Sequence, residues 1–272
     1  MFGTPDKERY GNKMKKIISL ALTVLMLATC IFSLASCAKP KLVVGITDYA
    51  PMDYKDENGN WIGFDADLAT MFAESLGMQV VFQEIIWDNK VADLNSGAID
   101  LVWNGMTASE ELGTKIDFST PYAKNEQVIV VKKGSTVNAS NVASAKVAVE
   151  KGSAGNTVAT DVIGATNVVE VEKQLDALLE VAAGTSDAAI VDMTLANSVV
   201  GKNDYADLTV IEDTDYGAEV FAVGLKQGSE LKAKLDAFLK EKYENKVVLN
   251  EEAFNGSVII LFYVFADFSA SP

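Results

Sequence analysis

Apolar and polar positions follow two rhythms along this chain: short apolar runs suited to buried strands, and longer stretches with apolar residues three or four apart. Leu42–Ile46 (LVVGI) is a continuous apolar run and predicts a buried strand, with Asp48-Tyr49-Ala50-Pro51-Met52 as the loop after it. The Asn58-Gly59 pair within Lys55–Asn60 marks a surface turn or hairpin tip. Phe64, Leu68, Met71, Phe72 and Leu76 recur at helical spacing and Gly77 stands where a C-terminal cap belongs, so a core-facing helix is expected. Val80–Ile86 predicts a strand, Asp88 a cap for a helix through Leu94 that ends near Gly97, and Asp100–Met106 the next strand.

Beyond Gln127–Val131, one more strand, the run Lys132-Lys133-Gly134-Ser135 reads as a crossing into new material. Strands are then expected at Lys146–Val149, Val168–Val171 and Ala188–Val191, with helices at Gly155–Val162 and Glu172–Ala183 between them. Leu208–Glu212 and Val220–Leu225 follow as strands, and Ser229 caps a helix reaching about Tyr243. The second half repeats the architecture of the first without repeating its sequence. Strand, helix, strand with short links implies an α/β fold with a mostly parallel sheet covered on both faces. Val258–Phe265 is apolar throughout yet too short to span a bilayer; it is either a buried strand or an ending altered by truncation or a frame error.

The beginning of the chain has another purpose. From Met14 it reads MKKIISLALTVLMLATCIFSLASC: a charged start, an apolar run and a small-residue ending, the layout of a secretory signal or of an uncleaved membrane anchor. The ending Leu34-Ala35-Ser36-Cys37 resembles the lipobox of bacterial lipoproteins. That resemblance implies a signal peptide over residues 1–36, of which 1–13 are an over-extended start, and a diacylated Cys37 opening a tether over 37–41. Cys30 falls in the discarded segment, so the mature chain has no pair of cysteines to oxidise.

Length and charge narrow the function. A chain of 272 residues forms one or two domains. Its formal net charge is −15; five of its 23 basic residues but only two of its 38 acidic ones lie in the first 36 positions, so the body is more acidic still. Such a body repels polyanions, which argues against a nucleic-acid partner. There is no histidine, which removes histidine catalysis and histidine metal ligation, and neither a metal site nor a cofactor is expected.

One stretch looks like a site. Leu101–Tyr122 starts as a strand, breaks at Asn104-Gly105 and runs through hydroxylated residues to Phe118-Ser119-Thr120-Pro121-Tyr122. Either its N–H and hydroxyl groups stand free at a sheet edge to meet a ligand, or a Gly-Thr turn simply caps a short helix. Taken with VVGITDYAPMDY, GNWIGFDADLATMFAESLG, WNGMT, DFSTPY and SDAAIVDMTLA, in that order, the chain from Leu42 to Tyr243 resembles the solute-binding lipoproteins of bacterial ABC importers, polar amino acid family (family 3).

The resemblance implies a two-lobe, type II periplasmic-binding-protein-like fold with the ligand closed between lobes joined by two crossing strands. Lobe one would span 42–131 and return over 216–272; lobe two would span 132–215. It further implies that Tyr49 packs on the ligand, with Met52 beside it where the family often has Phe, and that Trp87 forms a side wall. Asn104, Gly105 and Thr107 would meet the ligand carboxylate together with a helix N-terminus at Gly152, Ser153 and Ala154, and Asp192 would take the ligand ammonium. The pattern breaks at Leu112, where the family usually has an arginine gripping an α-carboxylate; Arg9 is the one arginine of the chain, and Lys115 or Lys151 would offer only a point charge. The expected function is a monomeric, lipid-anchored receptor on the extracytoplasmic face of the cell membrane that hands a small zwitterionic or cationic solute, an amino acid foremost, to an ABC permease. The alternatives are an enzyme like cyclohexadienyl dehydratase, using Asp48 or Glu150 as acid or base, or a sensory ligand-binding module.

Overall fold

The computed structural model describes residues 39–212 and 214–244. The signal segment, Cys37 and the apolar tail lie outside them. The described chain forms two five-stranded sheets and two small ribbons.

The first sheet opens with β1 (Lys41–Ile46). A ribbon of β2 (Tyr54–Lys55) and β3 (Trp61–Ile62) leads to helix α1 (Phe64–Ser75), after which β4 (Gln79–Glu84) pairs parallel with β1. A single 3₁₀ turn, Trp87–Asn89, precedes α2 (Lys90–Ser96), and β5 (Leu101–Val102) lies on the other side of β1. A one-turn helix α3 (Glu110–Gly113) and β6 (Asp117–Phe118) complete this pass.

The chain crosses at β7 (Ala123–Asn125) and enters the second sheet with β8 (Gln127–Lys132). That sheet gathers β9 (Lys146–Glu150), β10 (Asn167–Val171), β11 (Ala188–Asp192) and β12 (Leu208–Val210) in the order β10-β9-β11-β8-β12, with helices α4 (Ala154–Thr157), α5 (Gln174–Ala183) and α6 (Met193–Val199) along the way. The return crossing β13 (Glu219–Phe221) pairs antiparallel with β7, and β14 (Gly224–Leu225) slots between β5 and β6 before helix α7 (Leu231–Glu244). Two α/β sheets joined by two paired crossings is the expected architecture. The change of sheet comes at Ala123–Asn125, ahead of the expected crossing at Lys132–Ser135, because β8 takes its hydrogen bonds from β11 and β12.

The apolar runs earn their burial on two faces. In β8, Val128 and Val130 join one core while Ile129 and Val131 join another, the period-2 alternation of a strand covered on both sides. Trp103 is fully buried between Phe72 and Tyr122, whose ring centres lie 6.3 and 6.1 Å away. Some local expectations fail for non-local reasons. Asp88 does not cap α2; its carboxylate pairs with Lys151 of the second sheet at 3.1 Å. The helix expected over Gly155–Val162 is a single α turn that widens into a π turn at Val158–Val162. Gly97 does end α2 in the left-handed conformation, as expected.

Gly63 sets the entry to α1. Its φ of 124° and the carbonyls of Pro51 and Met52, which receive the Phe64, Asp65 and Ala66 N–H groups, leave no room for a side chain: a Cβ would lie 2.4 Å from the Met52 oxygen. Gly63→Ala is expected to destabilise the protein by roughly 2–4 kcal/mol through strain and broken caps. Urea unfolding checks this, and a loss under about 0.5 kcal/mol would show that the loop yields freely.

Candidate functional site

The C-terminal ends of β1, β4, β5, β9 and β10 converge, the place where α/β sheets leave crevices for ligands. A cleft there is lined by Thr47, Asp48, Tyr49, Trp87, Asn104 and Gly105 from the first sheet and by Glu150 and Gln174 from the second. The space between these side chains, interstitial gaps and open mouth included, is about 250 Å³.

Of the residues singled out by sequence, Tyr49, Trp87, Asn104 and Gly105 line this cleft. Met52 is buried in the core instead, its carbonyl serving the first turn of α1. Gly152 stands against Asp88 across the gap, its carbonyl accepting from Lys90 Nζ at 2.8 Å, and Ser153 caps α4 by accepting from Asn156 N–H, with Ala154 opening the helix. Leu112, with a half-buried side chain, packs on the cluster of Ile85, Trp87, Leu94, Ile99 and Ile116, so the arginine position has become part of an apolar patch.

Three donors of the Asn104–Thr107 stretch, the Asn104 amide, the Gly105 N–H and the Thr107 hydroxyl, are engaged within the protein. Asn104 accepts from Thr47 N–H (3.1 Å) and the Thr47 hydroxyl (2.6 Å), and its amide donates to Thr47 O and to Asp53. The Gly105 N–H goes to Asp65 at 2.6 Å, and the Thr107 hydroxyl to Glu219 at 3.0 Å. These bonds fasten the loop after β5 to Thr47, Asp53, Asp65 and Glu219.

Asp192 ends β11 at the cap position of α6, yet its carboxylate makes no capping bond. It accepts instead from Asn125 and Gln127, each at 2.6 Å, and from Gln174. Burial pushes its carboxyl up to about 6; the amide bonds from Gln174 and Gln127 hold it down, and nearby Glu219 adds to the rise. Glu219 draws on the same amides, accepting from Gln127 at 2.9 Å and Asn125 at 3.2 Å. The Tyr49 hydroxyl is buried with no well-formed hydrogen bond, although Asp192 is its strongest charged neighbour. The sequence offered no sign of Gln127, Gln174, Asn125 or Thr47, since a lone amide or hydroxyl has no spacing signature.

Behind the cleft sits a second pair of carboxyls. Asp53 and Asp65 are wholly buried. Asp65 accepts from Gly105 N–H and from the Tyr122 hydroxyl at 2.7 Å, Asp53 from Asn104 at 2.7 Å, and one oxygen of each has no partner. Burial drives the Asp65 carboxyl up to about 7 against those bonds, and burial followed by repulsion from Asp65 drives Asp53 well up too.

Three contacts tie the two sides of the cleft: Lys90 to the Gly152 carbonyl, Lys151 to Asp88, and Lys173 to Glu84 at 2.7 Å. The two ion pairs are partly exposed and add little stability each. Lys90 differs, being buried, with its ammonium 4.8 Å from the centre of the Trp87 ring.

Comparison with known proteins agrees with this geometry. The family described as bacterial extracellular solute-binding proteins, family 3, matches residues 42–249. The chain is 30% identical over 236 residues to the arginine-binding extracellular protein ArtP of Bacillus subtilis (strain 168), covering 82% of this chain and 92% of ArtP. Among solved structures, an ancestral arginine-binding protein bound to arginine superposes with a TM-score of 0.71 at 32% identity, covering 80% of this chain and 97% of that one. The ancestral amino acid-binding protein AncCDT-1, a precursor of cyclohexadienyl dehydratase, gives 0.70 at 30% identity, covering 79% and 94%.

The buried carboxyl pair makes stability depend on pH. Asp65 holds its proton more tightly in the folded than in the unfolded chain, so its contribution is fully present below the ordinary value of 3.8 and is lost as pH rises through about 7. Asp65→Asn removes that titration. The stability advantage of the native protein over this variant is expected to shrink by roughly 1–2 kcal/mol between about pH 5 and about pH 8. A gap independent of pH in urea titrations would show that Asp65 is ionised throughout.

Proposed function

Because the chain belongs to the bacterial extracellular solute-binding proteins, family 3, we propose that it is a receptor that captures a small zwitterionic or cationic solute, an amino acid foremost, and delivers it to an ABC importer. The observation that carries this is the make-up of the cleft. Tyr49 and Trp87 give it two aromatic walls, Asp48 and Glu150 face it, and Asp192 stands one hydrogen bond behind it through Gln174. Aromatic faces and carboxylates together favour an amine. The Asp192 carboxylate receives the ligand ammonium, and the backbone around Gly152 and Ser153 meets the carboxylate.

Capture works by closure. The two lobes, the first built from the chain before β7 and after β13 and the second from the chain between them, swing about these paired crossings, and a bound solute shifts the open–closed equilibrium toward the closed form. Lys90 and the two ion pairs across the cleft support the closed side of that equilibrium. The protein acts as a binding protein rather than an enzyme: its nearest carboxylates, Asp48 and Glu150, have no histidine to work with. AncCDT-1, the precursor of cyclohexadienyl dehydratase, is itself an amino acid-binding protein. The signal-like start and the ending Leu-Ala-Ser-Cys support a lipid anchor at Cys37 that holds a monomeric receptor at the outer face of the cell membrane beside its permease.

Two outcomes follow. A polar amino acid at about one hundred times its Kd stabilises the folded protein by about 2.7 kcal/mol, so the thermal midpoint is expected to rise. Asp192→Asn is expected to weaken that binding about tenfold or more. If neither polar amino acids nor small amines move the midpoint of the native protein, the receptor proposal fails. For the anchor, the mass of membrane-extracted protein is expected to correspond to a chain starting at a diacylated Cys37. Retention of residues 14–36 would overturn it.

A further inference from the structure

Glu150 is a cleft carboxyl for which the described residues supply no hydrogen bond. It ends β9 and is 3% exposed. The neighbour that follows it, Lys151, turns the other way and pairs with Asp88. The charges facing Glu150 are Asp192 and Asp176, which repel it, and Lys90 and Lys173, which attract it. Neither lysine makes an ion pair with it. Lys173 is bound to Glu84, and Lys90 donates to the carbonyls of Trp87 (3.2 Å) and Gly152 (2.8 Å).

A zwitterion with one ammonium satisfies Asp192 and leaves Glu150 as it stands, buried and unpaired, a costly state for a carboxylate. A second positive charge on the ligand removes that cost and gains a charge-assisted hydrogen bond in a dry setting. Resting on the receptor reading above, we propose that Glu150 is the specificity-determining residue of the cleft, receiving a cationic group at the side-chain end of the solute, so that the preferred ligand is a basic amino acid. Asp192 reads the α-ammonium; Glu150 reads the distal charge. Burial, with Asp192 adding, raises the Glu150 carboxyl well above the usual range, and a cationic side chain beside it favours the charged form.

Titration calorimetry with the purified full-length protein tests this, using arginine against its uncharged isostere citrulline, and lysine against norleucine. The native protein is expected to prefer each cationic member by about tenfold or more, and in Glu150→Gln that preference is expected to collapse to within about threefold. Arginine binding is expected to release more protons from the native protein than from Glu150→Gln, measured by repeating the titration in buffers of different ionisation enthalpy. Equal affinity of the native protein for arginine and citrulline, an undiminished preference in Glu150→Gln, or equal proton release by both proteins would each overturn the assignment while leaving the receptor standing. If the native protein binds none of the four amino acids, the receptor proposal falls and this inference falls with it.

Discussion

The bond from the Gly105 N–H to Asp65 is the contact on which the site depends. It fastens the loop after β5 to the first turn of α1, and the same carboxylate oxygen takes the Tyr122 hydroxyl, so three segments distant in sequence meet at one atom. Through Asn104, the neighbour of Gly105, this knot reaches Asp53 and the Thr47 backbone, and therefore both walls of the first-sheet side of the cleft. The cost is two carboxyls buried with an unpartnered oxygen each. A core that hid only apolar groups would be cheaper to form, but it would not hold backbone at the cleft in one conformation.

Much of the scaffold was legible because it rests on local rules. The continuous apolar run of β1, the helical spacing of Phe64, Leu68 and Phe72, and the glycine that ends α2 each act through their immediate neighbours. The failures share the opposite property. Asp88 has the right position to cap a helix, yet a lysine of the other sheet claims it. Whether the Gly105 N–H stands free has no local answer in the sequence, because the carboxylate that takes it stands forty residues earlier. The crossing was placed late because Lys132–Ser135 has strong turn chemistry, whereas Ala123–Asn125 has none and is defined by its pairing with Glu219–Phe221.

The candidate site divides the same way. Tyr49 and Trp87 were singled out through family resemblance, residue by residue, and both line the cleft, while Asp192 lies one hydrogen bond behind it. The amides that orient Asp192 were not, because Asn125, Gln127 and Gln174 become a set only when β7, β8 and α5 are brought together. Leu112 shows the converse. Its sequence signal is loud, an aliphatic side chain in place of a charged one, and its structural role is quiet, one more member of an apolar patch.

The placement of β14 has a consequence for how this chain is made. Gly224–Leu225 lies between β5 and β6, so β6 has no seat in the first sheet until the chain has travelled out through the second and returned. The Val223 N–H that secures Ser119 is separated from it by 104 residues. A polypeptide emerging N-terminus first therefore exposes an unfinished first lobe while a whole second lobe is synthesised, and the loop-closure entropy falls on the last strand to arrive. The lobe between the crossings is continuous in sequence and free to fold on its own schedule. The order of assembly is thus written into the topology: inner lobe first, outer lobe sealed last, and the cleft between them complete only when both are done.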